Sequence, residues 1–186
     1  MTKVHIIGFV GQVRSGKTTA CEHLRNKHNA VVFRNSDPLE QISQKLSMDK
    51  DRSSLALIGM TLFDIFGRDL LAKHWGENIK KINPVTSLVV IDGLRFPEEI
   101  KFYRDYGNFT LVAINSPDEQ RFNRSKVASD SFKDGSLDAT AFLKQSTLKN
   151  ESYVDELIDH NDFCIENSNS KKNFTLKLDK LILSIA

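Results

Sequence analysis

One short segment constrains this chain more than any other. Residues 11–18 read G-Q-V-R-S-G-K-T and match the pattern G-x-x-x-x-G-K-[ST]. The apolar run 4–10 leads into the segment and residues 19–25 lead out of it as a helix, which is the order that the pattern requires. The segment therefore predicts a phosphate-binding loop (P-loop). An ordinary glycine-rich turn between a strand and a helix is the alternative.

The residue types in this loop fit a nucleotide phosphate. Its two glycines allow backbone angles that side chains forbid, so that N–H groups can turn inward and bind an anion beside the helix N-terminus. The lysine is expected to reach the β- and γ-phosphates, and the threonine after it to ligate Mg²⁺. The predicted nucleotide-binding residues are Gly11, Arg14, Ser15, Gly16, Lys17, Thr18 and Thr19.

The composition fits one globular domain. The chain has 186 residues, of which 40% are hydrophobic and 27% are charged. A net charge of +2 makes nucleic acid an unlikely partner without excluding it. Cys21 and Cys164 are expected to be reduced and buried, and no stretch is long enough to span a membrane, so we expect a cytoplasmic protein. The histidines show no metal-ligand spacing, and none is assigned a role.

Apolar runs alternate with helical patterns along the chain, which predicts parallel strands in a layered α/β fold. Pro38 suits the first position of a helix and Asp37 its cap. A core-facing helix with Leu55 and Ile65 on one face is expected to break at Gly67. Strands are expected at 3–10, 30–34, 87–92, 109–115 and 162–166, and the other helices at 17–28, 38–46, 69–75, 138–146, 150–159 and 172–185, with further helices opening at Pro97 and Pro117. Loops are expected at 76–86 and at 128–137.

Two acidic residues follow predicted strands, where ligands bind in sheets of this kind. Asp92 ends an apolar strand, as a carboxylate near Mg²⁺ requires; capping the turn before Gly93 is the alternative. Asp37 is a candidate to orient or deprotonate an acceptor, with a purely capping role as the alternative. Gly11, Asp37, Asp92, Arg95 and Ser116 are expected to border one crevice.

Three arginines are candidates to stabilise charge during phosphoryl transfer, since planar guanidinium groups suit the phosphoryl oxygens. Arg121 and Arg124 share a helix face, which is either part of the site or a solvated surface. Arg95 lies at the crevice rim, with a surface ion pair to a nearby glutamate as the alternative. Weaker candidates to bind an acceptor phosphate are Arg34, Arg52 and Arg68.

The order of these motifs over most of the chain resembles the P-loop nucleotide kinases. The bacteriophage-type deoxynucleoside monophosphate kinases and the dephospho-CoA kinase-like proteins are the groups it resembles most. The similar segments are G-x-x-R-S-G-K-T-T-A at 11–20, S-D-P-L at 36–39, V-I-D-G-L-R-F-P-E-E at 90–99, S-P-x-x-x-R-F-x-R at 116–124 and I-E-N-S at 165–168.

The resemblance implies a five-stranded parallel sheet in the order 2-3-1-4-5 within a single P-loop kinase domain, 1–186. It implies an acceptor-binding helical insert at 38–80, a lid region at 121–150, ATP and Mg²⁺ as cofactors, and Asn167 near the adenine. Unlike many such lids, this one has no arginine after Arg124, so Lys126 or Lys133 would have to substitute. The catalytic residues implied are Lys17, Asp37, Arg95, Arg121 and Arg124, with Thr18 and Asp92 at the metal.

The function expected is ATP-dependent phosphorylation of a nucleotide-like small molecule, namely a (deoxy)nucleoside monophosphate. Transfer to a ribose hydroxyl of dephospho-CoA, or to a base or end in DNA, remains open. So does a non-catalytic nucleotide-binding protein. A GTPase switch is disfavoured because the guanine-reading pattern N-K-x-D is incomplete at 26–29, where the acid is missing. The oligomeric state is open, a homodimer included.

Overall fold

A five-stranded parallel sheet in the order β2-β3-β1-β4-β5 forms the centre of the protein. It is seen in a computed structural model that describes residues 4–49, 51–83, 86–127 and 153–185. The strands are β1 (His5–Val10), β2 (Val31–Arg34), β3 (Leu88–Asp92), β4 (Phe109–Asn115) and β5 (Phe163–Glu166). The predicted α/β fold and the predicted strand order are both confirmed.

Helices cover both faces of this sheet. They are α1 (Lys17–His28), α2 (Ser36–Lys45), α3 (Arg52–Phe66), α4 (Leu70–Ile79), α5 (Pro97–Tyr106), α6 (Asp118–Val127), α7 (Val154–Asp159) and α8 (Lys171–Ile185). On one face, Ile6 of β1 packs with residues of α4, α5 and α7. On the other, Ile7 packs with residues of α1 and α8. The alternation of neighbouring β1 residues between two cores explains why its sequence is apolar throughout.

The helices of the 38–80 insert differ in detail from the prediction. α2 begins at Ser36 rather than Pro38, so Asp37 lies in its first turn and is not the residue before the helix. α4 extends to Ile79 because Trp75 and Ile79 are buried in the core, although residues 76–86 were predicted to form a loop. The break at Gly67 is as predicted.

Two burial predictions were wrong. Ile65 is 67% exposed, because the buried face of α3 runs through Leu55 and Phe63, and Ile65 lies two residues beyond Phe63 on another side of the helix. Cys164 is exposed on the edge strand β5, whereas Cys21 is buried as expected.

Part of the predicted lid lies outside the described residues. This applies to the predicted loop at 128–137, the predicted helix at 138–146 and the start of the helix predicted at 150–159. Of the helices in the described ranges, none combines the length and the apolarity needed to cross a bilayer.

Two leucines of α8 provide a matched test of this packing. Leu178 is 0% exposed against the sheet, and Leu183 is 78% exposed on the same helix. Leu178→Ala should lower the free energy of unfolding by about 2–5 kcal/mol, since it removes buried methyl groups and leaves a cavity. Leu183→Ala should change it by less than about 0.5 kcal/mol. Urea unfolding of both variants checks this, and equal effects would contradict the assigned orientation of α8.

Candidate nucleotide site and the adjoining pocket

The loop between β1 and α1 has the backbone that its sequence predicts. Gly16 has φ +114° and Arg14 has φ +63°, angles in the left-handed region. A Cβ atom at Gly16 would overlap the side-chain amide of Asn167, and one at Gly11 would overlap the carbonyl of Ile114. Close approach of neighbouring groups, as well as backbone angle, therefore requires glycine at both positions.

Side chains from distant parts of the chain bind the outer carbonyls of this loop. Arg121 Nη1 donates to the Val13 carbonyl at 3.1 Å. Arg124 Nη1 donates to the carbonyls of Arg14 at 3.0 Å and Ser15 at 3.3 Å. Asn167 Nδ2 donates to the Ser15 carbonyl at 2.7 Å. Three consecutive loop carbonyls are thus bound, which fixes the shape of the loop.

Two of these residues, Arg124 and Asn167, are also joined to each other, and Arg121 has a further partner. The Asn167 carbonyl accepts hydrogen bonds from Arg124 Nη2 at 2.9 Å and from the Ser116 hydroxyl at 3.0 Å. Arg121 is 7% exposed and is also held by Asp118 at 2.7 Å. These contacts make Arg121, Arg124 and Asn167 positioning residues for the loop. Their predicted contacts with phosphate and adenine stay predictions.

Lys17, at the start of α1, is folded back over the loop. Its Nζ donates to the carbonyls of Gly11 at 2.6 Å and Gln12 at 3.1 Å. The neighbouring Thr18 side chain is exposed and Thr19 is half-buried. The ammonium group therefore lies at the loop that is predicted to bind phosphate.

Asp92 and Ser15 meet the requirements of a nucleotide and metal site. The register places Asp92, the last residue of β3, between Phe9 of β1 and Arg34 of β2. Within the described residues, Asp92 Oδ1 and Ser15 Oγ are buried without a hydrogen-bond partner. A buried polar atom left unsatisfied is costly, so a ligand that satisfies it is favoured. These atoms fit a Mg²⁺–nucleotide complex.

Asp37 lies near the same sheet edge, in the first turn of α2. Its Oδ1 is 3.7 Å from Arg34 Nε, and both side chains are partly exposed. This distance is that of an ion pair and is too long for a hydrogen bond. Asn35, which directly precedes α2, connects this helix to the end of β3, because its backbone N–H donates to the Asp92 carbonyl at 3.0 Å.

A mainly apolar pocket opens directly after Asp92. Arg95 is one of its lining residues, and the α2–α3 pair provides apolar walls. The wall residues include Leu39, Leu55, Gly59, Phe63, Leu71 and Phe96. Helices of the 38–80 insert and the segment after Asp92 therefore line one cavity together, and the charged residues of its lining are Arg95 and Glu99.

A buried polar network forms the floor of this pocket. Asn35 Nδ2 donates to Glu99 Oε1 at 2.6 Å, and Asn35 Oδ1 accepts from Trp75 Nε1 at 3.1 Å. Glu99 Oε2 accepts from the backbone N–H groups of Arg95 at 2.8 Å and Phe96 at 3.1 Å. Burial raises the pKa of Glu99 from 4.5 to about 7, even though its hydrogen bonds favour the charged form.

Sequence reasoning missed this network because its members are scattered. From the sequence, Glu99 was placed in the first turn of a helix and, like Glu98, was an alternative surface ion-pair partner of Arg95; neither Asn35 nor Trp75 was singled out. Two signals were available in the sequence. Asn35 directly follows β2, and Glu99 lies soon after Asp92, the last residue of β3. A surface ion pair with a glutamate was the alternative role for Arg95; the structure shows that the Arg95 backbone N–H donates to the buried Glu99.

Among the remaining basic candidates, Arg68 and Lys126 lie against aromatic rings. Arg68 lies over the rings of Tyr153 at 4.8 Å and Phe96 at 5.4 Å. The side chain of Arg52 lies outside the described residues, as does Lys133. Lys126 Nζ lies 4.2 Å from the centre of the Phe122 ring.

Comparisons with known structures define the class of fold. A shikimate kinase from Acinetobacter baumannii in complex with shikimate aligns with TM-score 0.60 and 17% identity, covering 98% of this chain and 95% of the kinase. The APS kinase of Mycobacterium tuberculosis in complex with AMPPNP and APS aligns with TM-score 0.61 and 13% identity, covering 98% and 99%. The chain therefore has the fold of the P-loop kinases.

Sequence relatives are archaeal. A UPF0200/UPF0201 protein of Archaeoglobus fulgidus is 29% identical over 99% of this chain, which spans 57% of that protein's length. A UPF0200 protein of Sulfurisphaera tokodaii is 27% identical over 100% of this chain and 99% of its own length. No protein-family model matches the chain.

The pKa of Glu99 predicts a pH-dependent stability. Between the ordinary pKa of 4.5 and the folded value of about 7, the folded chain binds more protons than the unfolded chain. The stability contributed by this group is therefore full below pH 4.5 and is lost as pH rises through 7. Relative to Glu99→Gln, the wild type should lose free energy of unfolding across this range.

Urea unfolding at several pH values between 4 and 8 measures this difference. Glu98→Gln is the matched control, because Glu98 is the neighbouring residue and its side chain is 49% exposed. A wild-type-minus-E99Q difference that stays constant with pH would contradict the raised pKa.

Proposed function

We propose that this protein is an ATP-dependent kinase that transfers the γ-phosphate to a (deoxy)nucleoside monophosphate. One observation carries the proposal: the P-loop and the pocket with Arg95 open at the same sheet edge, separated only by the end of β3. Asp92 pairs with Phe9 near the end of the strand that leads into the P-loop, and the next residue, Gly93, lines the pocket. A donor site and an acceptor site side by side are what direct phosphoryl transfer requires.

The donor side of the site accounts for the chemistry of the loop. Mg·ATP, when bound, supplies the phosphoryl group and neutralises part of its charge. Lys17 would bind phosphate oxygens, Ser15 and the loop backbone would donate hydrogen bonds, and Thr18 and Asp92 would hold the metal. Arg121, Arg124 and Asn167 keep the loop in the shape that binds phosphate, which lowers the cost of ordering it on binding.

The acceptor side favours an anion with a flat apolar body. The apolar residues that line the pocket suit a nucleobase, and Arg95 suits the phosphate of a monophosphate. The cavity itself holds about 20 Å³, so α2 and α3 would move apart to admit the base. Asp37, in the first turn of α2 near the same edge, would orient the acceptor group. An acceptor that receives the phosphoryl group on a ribose hydroxyl would bind differently, since the hydroxyl, and not a phosphate of the acceptor, would have to lie next to the donor.

The proposal predicts turnover in a defined assay. The full chain is mixed with Mg·ATP and, in turn, each common (deoxy)nucleoside monophosphate, dephospho-CoA and short DNA; ADP release is followed and products are identified by mass. A phosphorylated monophosphate is expected. Lys17→Ala should lower kcat/KM by about 10²-fold or more, because a charge that stabilises the transition state is lost.

Lys101→Ala is the control, since Lys101 is 77% exposed and paired with Asp105 on the surface. Equal activity of the Lys17→Ala variant and wild type would contradict the P-loop assignment. Intact ATP binding without any product would contradict the kinase proposal and favour a nucleotide-binding protein. Product formed only from dephospho-CoA or only from DNA would identify one of the two alternative acceptors.

A substitution of Arg124 distinguishes two roles for this residue, namely positioning the P-loop and stabilising charge in the transition state. Because it holds two loop carbonyls, Arg124→Ala should weaken ATP binding at least as much as it lowers kcat, and should lower Tm. Calorimetry, steady-state kinetics and thermal unfolding measure the three quantities, with exposed Arg25→Ala as the control. A fall in kcat at unchanged ATP affinity would instead assign Arg124 to the transition state.

A further inference from the structure

Two histidines that the sequence left without a role meet one carboxylate on the far side of α1 from the loop. His23 Nε2 and His28 Nε2 each lie 2.8 Å from Asp179 Oδ1, the same oxygen. The histidines belong to α1 and Asp179 belongs to α8, so the group joins two helices. The side chains are 16–20% exposed, which shields them from bulk solvent without closing them off.

The hydrogen bonding of this group constrains its chemistry. A carboxylate oxygen accepts but does not donate, so both imidazoles must carry a proton on Nε2 to bond it. Two donors are then directed at one oxygen. A single cation could take the place of the two Nε2 protons, with His23 Nε2, His28 Nε2 and Asp179 Oδ1 as its ligands.

We propose that His23, His28 and Asp179 form a binding site for one divalent transition-metal ion of the Zn²⁺ type, with water as the fourth ligand. Imidazole nitrogen and carboxylate oxygen are ordinary ligands of such ions. In a tetrahedral zinc site with bonds of about 2.1 Å, ligand atoms lie about 3.4 Å apart. Here the three atoms lie within 4.8 Å of one another, so small side-chain movements suffice.

The surroundings of Asp179 hold it in a suitable orientation. Lys27 Nζ donates to Asp179 Oδ2 at 2.8 Å, which leaves Oδ1 for the histidines. This hydrogen bond, with those from the two histidines, holds the pKa of Asp179 well below its usual range. The carboxylate is therefore ionised, as a metal ligand must be.

The position of the site gives the metal a role separate from the proposed kinase chemistry. α1 begins with Lys17 at the P-loop, and α8 carries Phe174, which lies beside Gly16. A metal bound between His23, His28 and Asp179 would therefore fasten the two helices that flank the loop. Binding to the folded chain alone stabilises it by mass action.

The test uses Zn²⁺ and Co²⁺ with the full chain, without nucleotide. Competition with a chromophoric chelator should give one Zn²⁺ per chain, and Zn²⁺ should raise Tm. His23→Gln, His28→Gln and Asp179→Asn should each weaken binding at least tenfold and remove the Tm shift. His160→Gln, an exposed histidine at the end of α7, is the matched control and should behave as wild type.

Co²⁺ provides a readout that does not depend on folding of the variants. The wild-type Co²⁺ complex should show visible bands of a tetrahedral site, without the near-ultraviolet band of a thiolate ligand, and Cys164→Ser should leave the spectrum unchanged. Unaltered Zn²⁺ affinity in all three ligand variants, or a spectrum that depends on Cys164, would overturn the proposal. Variants are compared first in EDTA by thermal unfolding, so that loss of binding is not confused with loss of fold.

Discussion

The rest of the site depends on the hydrogen bonds that side chains donate to the P-loop carbonyls. A loop that binds an anion with its N–H groups leaves its carbonyls facing the protein, where they need donors. Arg121, Arg124 and Asn167 supply these donors to residues 13, 14 and 15. The backbone conformation of residues 11–18 is therefore specified partly by residues more than a hundred positions away.

The second organising feature is the end of β3, where the two halves of the site meet. Asp92 lies beside the last residues of β1 and β2, and the chain then turns at Gly93 into the pocket with Arg95. Glu99 ties this turn to the network below the pocket through the backbone N–H of Arg95. The pocket and the P-loop are consequently built on one edge of the sheet.

Much of the architecture could be predicted because it is encoded locally. The P-loop pattern, the apolar strands and proline-initiated α5 each lie within a short window of sequence, and parallel pairing follows from their alternation. The strand order came from the resemblance of the motifs to the P-loop kinases.

What could not be predicted depends on contacts between distant residues. Asn35 ends an unremarkable short strand, and nothing local shows that its amide joins Trp75 to Glu99. His23 and His28 lack metal-ligand spacing because their third partner, Asp179, lies over 150 residues away. Ile65 has the helical spacing of a core residue, but the packing of α3 selects another face.

The contacts of Asn167 have a consequence for the order in which the protein acquires its activity during synthesis. Asn167 follows Ser15 by 152 residues, so a ribosome delivers it well after the P-loop, and domains fold as their elements emerge. A chain that has emerged only through β4 contains the whole loop motif but lacks the amide that holds the Ser15 carbonyl. In such a chain the P-loop has its full sequence but lacks the hydrogen bond from Asn167. The loop therefore reaches its final conformation only after β5 and the turn that follows it have joined the sheet.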